Sequence, residues 1–148
     1  MKPLPHRYDV QIVGGPTGHA HLSSVGRETL PLAPPREFGG PGDVWSPEHL
    51  LLASVESCFF FTFRAVARAA SVEFVDLNVH AEGTVDHQAG VTRFTEIVLR
   101  PRLIVKHGTD REKLATVFVK TEKACLVSAS LSTPIRIEAD VVESAAAA

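Results

Sequence analysis

The segment at 46–70, SPEHLLLASVESCFFFTFRAVARAA, constrains this chain more than any other. It carries a helix start in three successive residues: Ser46 as N-cap, Pro47 at the first helical position, and Glu48 in the first turn, where a negative charge suits the free backbone N–H groups. The helix is expected to run to about Ala70. Leu51, Ser54, Val55, Cys58, Phe61, Thr62 and Ala65 recur at helical spacing, which predicts a packing face with Cys58 at its middle. Phe59, Phe60 and Phe63 make the helix apolar on nearly every side. Such a helix must be the central element, and three short N-terminal strands and one other helix cover it poorly, so a two-fold dimer is expected.

The flanking segments read as short strands and one further helix. Tyr8, Val10 and Ile12 alternate with polar neighbours, and residues 14–18, GGPTG, read as a turn. Strands around His19 to Ser23 and Thr29 to Leu32 complete an N-terminal meander. The stretch APPREFGGPGDVW at 33–45 is too rich in Pro and Gly for regular structure. Beyond the helix, Val75, Leu77, Val79, Ala81 and Val85 alternate with polar residues, as in an antiparallel strand with one wet face. A turn near His87 to Gly90 leads into a returning strand, roughly Val91 to Lys106, where Pro101 predicts a bulge or bend.

Thr109, Asp110, Arg111 and Glu112 read as a capping box for the second helix. Its inward stripe is Leu114, Phe118, Thr121 and Cys125. Ile135, Ile137, Ala139 and Val141 then alternate as a last strand, and the tail ESAAAA is expected to fray. At 148 residues, with no repeats and no dividing linker, the chain reads as one α+β domain, 1–148.

Composition narrows the function classes. A formal net charge of -2, with Lys and Arg spread along the chain, gives no footprint for nucleic acid. MKPLPHRYDV lacks the apolar run of a secretory signal and no stretch reads as a membrane span, so the cytoplasm is the expected compartment. Thiols there are kept reduced, and Cys58 and Cys125, the two cysteines of the chain, are expected to be reactive or simply buried. His19 and His21 have acceptable ligand spacing but lack a neighbouring carboxylate or thiolate, so no metal is expected. His49 lies nine residues before Cys58, about 13 Å along a continuous helix, too far for a Cys–His nucleophile. FGGPGD is not followed by GK[ST], so no phosphate loop is expected.

The run EFGGPGDVWSPEHLLLASVESCFFFTF, followed by TEKACLVSASLSTPIRIEADV, resembles the OsmC/Ohr superfamily of osmotically inducible and organic hydroperoxide resistance proteins, over almost the whole chain. The resemblance implies an OsmC-like fold, with antiparallel sheets wrapped around a long central Cys-bearing helix in an intertwined homodimer. It implies a peroxidase in which Cys58 stands at the peroxidatic position, Cys125 at the resolving position, and Glu48 at the glutamate of the helix start. The substrate implied is a small organic hydroperoxide. No bound cofactor is implied, and an external dithiol such as dihydrolipoamide would return the reducing equivalents. The chain departs from the family at the turn between the first two strands, where GGPTGH offers no catalytic arginine; Arg27 and Arg36 lie further on.

Two alternatives stand beside the peroxidase: a non-enzymatic dimer that senses redox state or binds an apolar ligand, and a fold member with two inert core cysteines. Residues 48 and 58 are ten apart, about 15 Å along one straight helix, so Glu48 is expected to reach a Cys58 site only across a helix break or from a partner chain. Cys58 and Cys125 should approach one another, because the two helix faces that carry them meet in one small core.

Overall fold

The computed structural model describes residues 2–144, which divide after Leu51 into two compact units. The boundary falls inside a helix and not at a linker.

The first unit holds a three-stranded antiparallel meander, β1 (Gln11–Val13), β2 (Ala20–Ser23) and β3 (Leu30–Leu32). β1 is shorter than the alternation predicts: Tyr8 and Val10 are 88% and 71% exposed and lie outside the ladder. The segment 33–45 is more ordered than its composition suggests. Arg36–Phe38 form a 3₁₀ turn, and Leu32 bridges to Trp45, with Ala33 N–H donating to the Trp45 carbonyl at 3.1 Å. Gly40 makes this possible, because a Cβ there would meet the Pro34 carbonyl oxygen at 1.6 Å.

That loop delivers the chain to α1 (Pro47–Ala69), which begins where Ser46 and Pro47 predict. Ser46 Oγ accepts from the His49 backbone N–H at 3.3 Å and its carbonyl accepts from Leu50 at 3.0 Å. The helix ends in a left-handed residue. Ser71 (φ 52°) donates to the Arg68 carbonyl while Val72 donates to Ala67, the paired bonds that close an α-helix, here without the usual glycine.

The second unit contains most of α1, β4 (Asp76–Gln88), β5 (Val91–Val105), α2 (Arg111–Ala124), α3 (Leu126–Ala129), β6 (Ile135–Ile137) and β7 (Asp140–Glu143). β4 and β5 form a long hairpin, turned at Ala89 and Gly90, both with positive φ (51° and 80°), which suits the right-handed twist of the strands. The bulge is not at Pro101. Thr84 pairs with Glu96 and Val85 with Phe94, which leaves Thr95 as the extra residue, whereas Pro101 is buried in register opposite Val79.

Pro101 acts on the other neighbour instead. Ile97 donates to Pro134, and Leu99 and Val105 accept from Glu138 and Ser144, so the odd-numbered residues of β5 present their backbone groups to the C-terminal strand. Pro101 belongs to that series and has no N–H, and the predicted last strand divides there into β6 and β7. Both run parallel to β5 in one register, Ile97 opposite Ile135 and Arg102 opposite Asp140. Glu143 and Ser144 of the predicted frayed tail are tied down: Glu143 lies in β7 and pairs with Arg111 at 2.9 Å, and Ser144 N–H donates to Val105 at 2.7 Å. Residues 145–148 lie outside the described residues.

The core of this unit lies between α1, α2 and the sheet. Val55, Phe59, Phe63 and Ala67 of α1 meet Leu77, Ile97, Leu99, Leu103 and Val105 of the strands and Leu114 and Val117 of α2. The packing stripe of α1 therefore steps 55, 59, 63, 67, rotated from the predicted one. Cys58 lies at its edge, half-buried, and Phe61 is 62% exposed. The sequence pattern could not separate these faces, because both are apolar. By length and composition α1 could cross a membrane, with a mean hydropathy of 1.6 over 18 residues, which corrects the expectation that no segment reaches that length.

Asp110, not Thr109, caps α2: its carboxylate accepts from the Glu112 and Lys113 N–H groups, both at 3.0 Å, while Thr109 Oγ1 donates to the Lys106 carbonyl. Phe63 is fully buried against the rings of Phe59, Phe74 and Phe118, with centroids 6.3, 5.6 and 5.0 Å away. Phe63→Ala is expected to cost about 3–5 kcal/mol, a large share of the roughly 5–15 kcal/mol that holds a domain together. A lowered urea unfolding midpoint measures it.

Candidate functional site

Three elements of the second unit meet at the two cysteines. α1 supplies Cys58, the junction of α2 and α3 supplies Cys125, and the first residues of α3 supply backbone donors. Cys125 ends α2 with extended backbone (φ -71°, ψ 105°) and caps α3, so the chain turns at the sulfur. The Val127 N–H donates to Cys58 Sγ at 3.5 Å, and the Ser128 hydroxyl donates to Cys125 Sγ at 3.1 Å.

The electrostatics separate the two thiols. Burial alone would push Cys58 up, but its pKa lies below the ordinary thiol value, because the Val127 N–H, the Cys125 thiol, the Thr62 hydroxyl and the Leu126 N–H all bond the sulfur and favour its charged form. Cys125 is pushed up, first by burial and then by the neighbouring Cys58 sulfur, against the opposing Ser128 hydroxyl and backbone bonds. These contacts favour the charged form at Cys58 over the charged form at Cys125. The expected consequence is a pH dependence. In the reduced wild-type protein, alkylation of Cys58 by iodoacetamide, followed by peptide mass, should reach its plateau at lower pH than alkylation of Cys125, and superimposable profiles would contradict the assignment.

The structure brings Cys58 and Cys125 together. Glu48 belongs to the first unit, in the first turn of α1, where its Oε2 is buried and has no hydrogen-bond partner among the described residues. Thr62, Ser128 and the N–H groups of Leu126 and Val127 were not legible as site residues. Thr62 stands one helical turn after Cys58, a spacing that could have flagged its hydroxyl. Ser128 follows Cys125 by three, the distance of a cap from its third helical residue.

The weaker constellations stay weak. His19 Nε2 lies 3.2 Å from Asp43 Oδ1, and no group of three or more His, Cys, Asp or Glu that could hold a metal occurs among the described residues. His49 Nδ1 bonds Ser46 Oγ at 2.8 Å. Arg27 donates to the Val25 carbonyl at 2.8 Å, and among the described residues the groups bonding Cys58 are Val127, Cys125, Thr62 and Leu126, with no arginine.

The family model for OsmC-like proteins matches residues 40–140. A curated relative, the uncharacterised protein YmaD of Bacillus subtilis, is 29% identical over 112 residues, covering 72% of this chain and 75% of its own. An OsmC-like protein of unknown function from Vibrio cholerae superposes with a TM-score of 0.84 at 14% identity, over 91% of this chain and 99% of that one. An organic hydroperoxide resistance protein from Elizabethkingia anophelis superposes with a TM-score of 0.76 at 22% identity, over 97% and 100%. At these identities the two structures establish a shared fold.

Proposed function

We propose that this chain, which belongs to the OsmC-like family within the OsmC/Ohr superfamily, is a thiol-dependent peroxidase that reduces organic hydroperoxides to alcohols. The superfamily includes organic hydroperoxide resistance proteins. The observation that carries the reading is the unequal thiol pair: the Val127 N–H donates to the Cys58 sulfur at 3.5 Å and helps to lower its pKa, while burial pushes the adjoining Cys125 thiol up.

The chemistry follows from that asymmetry. The Cys58 thiolate attacks the outer oxygen of ROOH, the O–O bond breaks, and Cys58 becomes a sulfenic acid while the alkoxide departs. The Cys125 thiol, hydrogen-bonded to Cys58, supplies the proton, which gives ROH and leaves Cys125 as thiolate. That thiolate attacks the Cys58 sulfur, hydroxide leaves, and a Cys58–Cys125 disulfide forms. An external dithiol then reduces the disulfide, with no bound cofactor. The cycle belongs in a reducing compartment such as the cytoplasm.

A homodimer completes the reading. Phe61 of α1 is exposed in one chain, and the buried Glu48 oxygen calls for a donor. A two-fold axis near Ala53 pairing antiparallel copies of α1 would cover the first and bring donors of the partner chain to the second. Light scattering should give twice the chain mass at micromolar concentration, and a stable monomer would contradict it.

The deciding assay measures consumption of cumene hydroperoxide and hydrogen peroxide with dithiol and monothiol reductants. Turnover with the organic peroxide and a dithiol is expected. Stoichiometric oxidation without turnover would favour the redox-sensing dimer, the reading that the absence of arginine from the turn at 14–18 keeps open.

A further inference from the structure

We propose that the reductant enters through a cavity beside Cys125, lined by that cysteine and not by Cys58, and attacks the Cys125 sulfur of the disulfide. The inference rests on the peroxidase reading and adds the direction of reduction. The cavity holds about 240 Å³, below the roughly 300–1,000 Å³ typical of drug-sized sites, so it suits a slender molecule. Phe59, Leu99, Ile135 and Ile137 give it apolar walls, and Glu122 is its one charged lining residue. That chemistry fits a small neutral dithiol on an aliphatic chain and disfavours anionic thiols such as glutathione. Cys125 itself is only 1% exposed and lines this opening.

The exchange chemistry points the same way. In thiol–disulfide exchange the sulfur with the lower thiol pKa leaves faster. Cys58 is that sulfur, and the Val127 N–H, 3.5 Å away, is placed to receive its negative charge. A reductant thiolate bonds to Cys125 Sγ, the Cys58–Cys125 bond breaks, and Cys58 departs as thiolate. The second thiol of the reductant, deprotonated, then attacks the reductant sulfur held on Cys125. Cys125 leaves and takes up a proton, and the dithiol closes as its own cyclic disulfide. Two electrons pass in all.

The test does not depend on peroxidase activity. Full-length protein is oxidised with diamide, treated briefly with the neutral monothiol 6-mercaptohexanol, quenched in acid, alkylated with N-ethylmaleimide and mapped by peptide mass. The mercaptohexanol adduct is expected on Cys125 and the maleimide on Cys58, by at least about tenfold. Adduct mainly on Cys58, or failure of diamide to bridge the pair, overturns the proposal. Ala129→Trp, which fills the cavity from α3, should slow reduction of the diamide disulfide by dihydrolipoamide at least about tenfold. An unchanged rate in a variant that still forms the disulfide also overturns it. If the adduct lies on Cys125 while the wild type consumes no hydroperoxide, the peroxidase reading fails and the entry route stands.

Discussion

Cys58→Ser is expected to bring hydroperoxide consumption down to the buffer rate. The attack on the O–O bond needs a polarisable anion at neutral pH, and sulfur supplies one here because four hydrogen bonds offset the cost of burying it. A serine hydroxyl in the same place keeps its proton. Cys125 cannot substitute, since burial, the first cause of its raised pKa, persists in the variant and disfavours its thiolate. The exchange removes one polarisable atom at the edge of the packing stripe, so the fold should survive, and an unchanged unfolding midpoint verifies that. Consumption above the buffer rate in the folded variant would remove Cys58 from the chemistry and with it the peroxidase.

The fold was most legible where local rules act alone. Ser46 and Pro47 placed the start of α1, and strict alternation from Val75 placed β4. Legibility failed where the deciding partner is distant in sequence. Nothing local says that Pro101 faces a strand more than thirty residues later, so its missing N–H surfaced as a break between β6 and β7 and not as a bulge in the hairpin. The packing face of α1 differs from the predicted stripe because apolar residues surround the helix, and only the sheet and α2 select Val55, Phe59, Phe63 and Ala67.

The site shows the same division. Both cysteines could be singled out from their helix faces, but the groups that make them unequal could not. Cys58 lies about three turns into its own helix, beyond the reach of that helix's N-terminal dipole. The N–H donors come instead from the start of α3, four residues (LVSA) too few to show a period. The turn at 14–18 offers no arginine, and backbone amides with a hydroxyl and a second thiol bond the Cys58 sulfur.

Cys125→Ser should separate the two halves of the cycle. A serine hydroxyl at 125 can still donate to the Cys58 sulfur, so the first attack persists and one equivalent of hydroperoxide is reduced. The sulfenic acid then has no thiol to condense with. Excess peroxide drives it to sulfinic and sulfonic acid, which the dithiol cannot reverse, so activity decays with each exposure instead of recovering. Intact-mass spectrometry under excess cumene hydroperoxide should show the over-oxidised species in the variant and the disulfide in the wild type. A variant that shows no over-oxidised Cys58 would deny Cys125 the resolving role. In that case the Ser128 bond at 3.1 Å would serve only to seat a buried thiol, and reduction would have to begin at Cys58 itself.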